Sequence, residues 1–286
     1  MNPFFFGLSE SYYLALSFEV YLQMQIKIVI SSFVAALFVV ISCEKKSAEK
    51  ETAVNSNSLK YSLLSTLPHN DKAFTEGLVF YDERLLESTG QNNQSWIAEV
   101  DQGTGQHEKK VILGGEYFGE GITVLNKKIY HLTYQEKTGF IYDVGTYKKI
   151  GEFNYNTEGW GITNDNKNLI MSDGTDKLYF LDTTTLKVIR TLPVTDVAGA
   201  RVKNLNELEY INNYIFANVY ETPWIVKIDP TSGKVIGQLD LSAITSEIKR
   251  TYPHAYELNG IAYYKLSDAL LITGKFWPKS YLIRIH

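Results

Sequence analysis

The chain has 286 residues with a net charge of −4, and 13% of its residues are aromatic. That length permits one large all-β domain, the aromatic share favours strands and pocket walls, and the absence of a basic excess argues against a nucleic-acid partner. A single cysteine, Cys43, excludes an internal disulfide.

Residues Ile28 to Ile41 read IVISSFVAALFVVI and follow Lys27. This apolar run fits the hydrophobic region of a secretory signal and is short for a membrane-crossing helix. Ser42-Cys43 follow directly. A small residue before Cys, after an apolar run, resembles the lipobox of bacterial lipoproteins. That resemblance implies lipidation of Cys43 and a lipid-anchored place in the cell envelope, on the periplasmic side or the outer surface. An uncleaved membrane anchor is the other reading, and either way the rest of the chain faces outward. Residues 1–23 contain Glu10 and Glu19 but no Lys or Arg, whereas Met24 opens MQIK. Met24 is therefore the better translation start, within a signal and lipoprotein segment spanning 1–43. Glu44 to Leu59 (EKKSAEKETAVNSNSL) is polar, cannot bury a core, and reads as a flexible tether over 44–59.

From about Lys60 to His286 the chain repeats. One unit ends an apolar run with Asp and a Thr- or Gly-rich turn: AEVDQGTG at Asp101, FIYDVGTY at Asp143, YFLDTTTL at Asp182 and VKIDPTSG at Asp229. A second unit is a short strand, a polar turn and another strand, as in GLVFYDERLLEST at Gly77 and GITVLNKKIYHLTY at Gly121. It recurs from Gly161, Leu208 and Gly260. Five copies at this spacing predict a five-bladed β-propeller over 60–286, and a β-sandwich would not explain the repetition. The last copy ends on YLIRIH, a third strand without a fourth, so YSLLSTL from Tyr61 is expected to complete it and close the ring. Ala243 to Arg250 is the one stretch expected to form a helical turn or two. A closed ring has no open edge that calls for a second copy, so a monomer is expected.

The repeats carry recognisable motifs. FTEGL (Phe74 to Leu78), YFGEGIT (Tyr117 to Thr123), EGWGIT (Glu158 to Thr163), LNELEY (Leu205 to Tyr210), LNGIAY (Leu258 to Tyr263) and TGKFWP (Thr273 to Pro278) stand in order along the chain. With LLESTG, LTYQEKTGF, LIMSDGT and FANVYET between them, they resemble the plant-type glutamine cyclotransferases. The resemblance implies a five-bladed propeller enzyme that closes the N-terminal Gln of peptides and proteins into pyroglutamate and releases ammonia. It implies a pocket at the central channel, with Glu120 of FGEG as the catalytic group, joined by Asn206 and Lys275. Phe74, Phe118 and Trp160 would line it. Three positions depart from the family pattern: Glu76 stands where Gln is common, and Tyr134 and Tyr220 stand where Trp is common. These put substrate preference in doubt more than the reaction.

The chemistry fits those residue types. One carboxyl group can take a proton from the attacking amine and give it to the departing nitrogen. Asn206 can donate to the substrate carboxamide oxygen. Lys275 can do the same or hold Glu120 ionised, and Glu76 can receive the substrate amine. Taken singly these residues are unremarkable: a Glu in a Gly-rich turn is usually solvated, a Trp is usually core, and a Lys is usually surface charge. Glu158, Glu207 and Glu209 are expected to tie blades together. The histidines, at 69, 107, 131, 254 and 286, show no metal-ligand spacing, and no metal or cofactor is implied. Two other readings remain open. One is a non-catalytic propeller binding peptides or glycans. The other is a calcium-dependent lactonase-type propeller using Glu76, Glu120 and Asn206.

Overall fold

The structure is a computed structural model in which residues 56–286 are described. The expected signal segment, the translation start at Met24, Cys43 and most of the expected tether lie outside the described residues. None of the helices among the described residues is long and apolar enough to cross a membrane.

Local chemistry sets the strand boundaries. In each Asp-led turn the carboxylate accepts bonds from backbone N–H groups further along the turn. Asp143 Oδ1, for example, accepts from Gly145 N at 3.2 Å and Thr146 N at 2.8 Å. Three of the five hairpins of the second unit turn on paired residues with positive φ, Asp82-Glu83, Asn126-Lys127 and Asn212-Asn213. That geometry matches the right-handed twist of the strands it joins.

These turns produce five antiparallel blades. Four have inner strands Thr75–Tyr81, Gly119–Leu125, Ile162–Asn164 and Leu205–Ile211, each followed outward by three more strands in chain order. The fifth runs from Leu258–Tyr264 through Ala269–Gly274 and Lys279–Ile285, and its outer strand is Tyr61–Pro68 from the other end of the chain. This closure explains why there are four Asp-led turns for five blades: the fifth blade has no third-to-fourth hairpin. One boundary differs from expectation. Ser58–Leu59 pairs in parallel with Gln238 and Leu239 at the rim of the fourth blade. The end of the expected tether is thus taken into the propeller, where Leu59 packs over Gly237. The predicted helical turn is a ten-residue helix, Ser242–Thr251, between the fourth and fifth blades.

The core lies in the seams between blades. Leu86 and Ile97 of the first blade meet Ile122 and Ile129 of the second. Phe216 and Ile225 of the fourth meet Ile261 and Leu270 of the fifth, and Ala262 and Leu271 of the fifth meet Leu78 and Leu85 of the first. Each fully buried Leu or Ile contributes roughly 1.5–3 kcal/mol, so the closing seam is built like the others. Near the axis, polar ties take over. Glu207 accepts from Leu78 N at 3.3 Å and Ile261 N at 2.9 Å, joining three blades. Glu209 accepts from Tyr263 N at 3.0 Å and is pushed up to about 8 by burial. Glycine is required where inner strands converge: a Cβ on Gly161 would lie 2.1 Å from Asn206 O.

Candidate active site

The starts of the inner strands and the ends of the strands that follow them gather at one mouth of the ring. Phe74, Phe118 and Trp160 stand just before or at inner-strand starts, and Asn206 is the second residue of its inner strand. Tyr134, Tyr220 and Lys275 each follow the last residue of a second strand. Because every blade presents the same edge of the same hairpin, residues more than 200 positions apart reach one cavity of about 200 Å³. All nine residues expected from sequence to form the pocket line it, Glu76 and Glu120 included.

The wall is a train of aromatic rings in edge-on or tilted contact. Phe74 meets Phe118 at 6.1 Å, Phe118 meets Tyr134 at 5.9 Å, Tyr134 meets Trp160 at 6.4 Å and Trp160 meets Tyr220 at 5.6 Å. Lys275 Nζ completes the circle, 4.3 Å from the centre of Phe74 and 5.6 Å from that of Tyr220. Gly174, at φ +77°, makes room for this wall, since a Cβ there would lie 2.5 Å from the Trp160 ring. The Trp160 indole N–H donates to Glu158 Oε2 at 3.0 Å, which fixes the ring plane.

The floor holds two carboxyl groups and one ammonium. Lys275 Nζ donates to Glu76 Oε1 at 2.5 Å and Asn259 Nδ2 donates to Glu76 Oε2 at 3.1 Å. Glu76 and Glu120 meet each other in a side-chain hydrogen bond. Glu76, Glu120 and Lys275 are 1%, 6% and 5% exposed, so water screens none of these interactions well. Burial first, then the charge of Glu76, pushes the Glu120 carboxyl well above the ordinary glutamate range, against the pull of Lys275. Glu76 is raised by burial and held back by Lys275. Burial works to lower Lys275, but Glu76 and Glu120 outweigh it and raise it. One cation cannot neutralise two buried anions, so one proton stays on the pair. Lys275 sits on Glu76, which leaves that proton with Glu120.

This arrangement bears on two expectations. Lys275 bonds to Glu76, and its pull on Glu120 is outweighed by burial and by the charge of Glu76. Each Glu76 oxygen already accepts one bond, from Lys275 or Asn259, so a substrate amine would have to share them. Asn206 is 3% exposed, and its Oδ1 is buried without a partner. A buried amide oxygen left unmatched at a cavity wall is a group that a ligand N–H can satisfy.

Sequence reasoning missed Asn259 and Phe276. Asn259 occupies the same repeat position as Asn206, since both follow Leu at the start of an inner strand (LNELEY, LNGIAY); aligning the fourth and fifth copies would have found it. Phe276, at φ +59°, packs edge-on to Phe74 at 5.1 Å and braces the wall from behind.

A propeller with an aromatic pocket, a buried carboxyl raised well above its ordinary range on the floor and an unmatched amide on the wall has the makings of an enzyme site. The comparisons make the class specific. The glutamine cyclotransferase family model matches residues 34–285. A glutaminyl-peptide cyclotransferase of Arabidopsis thaliana is 37% identical over 226 residues, covering 78% of this chain and 70% of that protein. The crystal structure of Myxococcus xanthus glutaminyl cyclase superposes with a TM-score of 0.73 at 30% identity, covering 81% of this chain and 98% of that one. The chain belongs to the glutamine cyclotransferase family.

Proposed function

We propose that this glutaminyl-peptide cyclotransferase closes N-terminal glutamine in the aromatic pocket with Glu120 as the proton carrier. The observation that carries this reading is the charge count on the floor, two carboxyl groups sharing one ammonium. The cavity, about 200 Å³, is smaller than the roughly 300–1,000 Å³ of sites for drug-sized ligands. It suits one folded residue, with the remainder of the peptide leaving through the mouth.

In the reaction the α-amine attacks the γ-carboxamide carbon. An α-amine with a pKa of about 7.7–8.0 is partly neutral near pH 7, so the nucleophile needs no strong base. The aromatic wall selects the folded conformer in which amine and carboxamide meet, and intramolecular alignment of this kind is where much of the rate gain arises. Glu120 gives its proton to the departing nitrogen and receives one from the attacking amine. The carbonyl is re-formed, ammonia leaves, and Glu120 returns to its starting state. Asn206 donates to the oxygen as negative charge develops on it, and its unmatched Oδ1 takes a substrate N–H. Glu76, pinned by Lys275 and Asn259, keeps Glu120 protonated rather than touching the reacting atoms.

Asn206→Ala is expected to lower kcat by about 10²–10³ while KM changes little, the signature of an interaction made in the transition state. Steady-state kinetics on a Gln-initiated peptide checks this; a rise in KM alone would assign Asn206 to ground-state binding.

For the N-terminal segment, we propose that Cys43 is the lipidated first residue of an envelope-anchored, monomeric enzyme. The support is the apolar run ending at Ser42-Cys43 and the polar stretch that follows. Cys43→Ala is expected to move the protein from the membrane fraction to the soluble fraction with its specific activity intact. Continued sedimentation with membranes would leave the uncleaved anchor as the better account.

A further inference from the structure

Apart from the pocket, the propeller assembles a second buried cluster that the proposed reaction does not use. His69 follows the outer strand of the fifth blade, Glu87 lies in the second strand of the first blade, and His107 opens that blade's outer strand. Linear spacing gives no hint of this, because ring closure is what brings His69 to the first blade. The ligand atoms of the three lie within 4.8 Å of one another. Their side chains are 2%, 0% and 2% exposed.

The hydrogen bonding brings two imidazole nitrogens onto one carboxylate. His69 Nδ1 is 2.6 Å from the Trp277 carbonyl oxygen and must donate to it. Its Nε2 then faces both oxygens of Glu87, at 3.1 and 3.2 Å. His107 Nε2 lies 2.5 Å from Glu87 Oε2. The Thr75 hydroxyl donates to Glu87 Oε1 at 2.6 Å, so the carboxylate acts as an acceptor. Two imidazole nitrogens pointing at one buried carboxylate require either protons or a cation between them. An imidazole whose far N–H is held by a backbone carbonyl is the usual arrangement of a metal-ligating histidine. Two imidazoles and a carboxylate suit zinc or a neighbouring first-row ion better than calcium or magnesium.

We propose that His69, Glu87 and His107 form a buried three-ligand site for a first-row divalent cation, zinc being the best match, with a water completing the coordination. His107 Nδ1 accepts from Asn70 Nδ2 at 3.2 Å, so cation binding at Nε2 requires the half-exposed Asn70 amide to turn its oxygen inward. Bound there, the ion ties the loop after Tyr61–Pro68 and, through Trp277 O, the fifth blade to the first. The site is thus a clasp on the ring closure.

The test uses the full chain, purified in detergent, stripped with a chelator and titrated with Zn²⁺ or with Co²⁺ as a spectroscopic probe. Uptake should saturate at one equivalent, with visible Co²⁺ absorption of a nitrogen–oxygen site. Tm should rise by roughly 5–10 °C at a hundredfold excess over Kd. His107→Gln and the near-isosteric Glu87→Gln should abolish both the uptake and the Tm response. No stoichiometric uptake by the wild type would overturn the proposal whatever the variants do, and would leave protons as the occupants. Uptake unchanged in both variants would also overturn it, placing the ion elsewhere.

Discussion

Lys275→Met is expected to destabilise the folded protein by about 3–5 kcal/mol, the usual cost of stripping the partner from a buried ion pair. Methionine keeps most of the lysine's apolar bulk against Phe74, so the loss reports charge rather than a void. In the wild type, Glu76 is 1% exposed and its Oε1 is held by Lys275 Nζ at 2.5 Å. Without the ammonium, the pair with Glu120 carries no cation, and the fold is retained only with both carboxyl groups protonated. The pH dependence follows in sign. A carboxyl whose pKa is higher in the folded than in the unfolded state binds more protons when folded, so stability falls as pH rises past the unfolded value. The variant's deficit should therefore be smaller near pH 5 than near pH 8. Thermal melts across that range check this, with Tm at neutral pH roughly 6–20 °C below wild type. A deficit independent of pH would mean that the lysine acts by packing alone.

Glu120→Gln is expected to behave in the opposite way. The variant should fold with little change in Tm, because the group it replaces is already neutral and an amide can keep the hydrogen bond to Glu76. Its kcat should fall by about 10²–10⁴, the contribution of a positioned proton carrier. KM should change little, since the aromatic wall that binds the substrate is untouched. The contrast between the two variants separates the roles: one residue holds the charge balance of the floor and the other moves the proton. A Glu120→Gln enzyme with near wild-type kcat would transfer the proton to another group, and Tyr134 and the substrate itself would be the remaining routes.

The sequence made the ring legible because its repeat is punctuated by chemistry. Asp101, Asp143, Asp182 and Asp229 each close a turn by local hydrogen bonds, and paired positive-φ residues such as Asn212-Asn213 mark three of the five inner hairpins. The unpaired final strand could be matched to Tyr61–Pro68 because a propeller edge demands a partner. Ser58–Leu59 was not legible, since a polar stretch gives no sign of a two-residue parallel pairing decided by a gap over Gly237. The pocket's membership was legible through the motifs, each at the same edge of its hairpin. Its wiring was not. Whether Lys275 pairs with Glu76 or Glu120 depends on differences of a few ångströms between blades, which no spacing encodes. The cluster of His69, Glu87 and His107 was hidden for a related reason: His69 reaches the two residues of the first blade only across the seam where the ring closes.

The account turns on Glu120 holding the proton that two buried carboxyl groups and one ammonium leave over. The most direct measurement is a ¹³C NMR titration of the glutamate carboxyl carbons, with Glu120 assigned by its loss in Glu120→Gln. The predicted result is a Glu120 carboxyl that titrates well above the ordinary glutamate range. In Glu76→Gln it should fall back toward that range, because the competing anion is gone and Lys275 is released to pair with it. A Glu120 that titrates like an exposed glutamate in the wild type would contradict the proposed proton route at its first step.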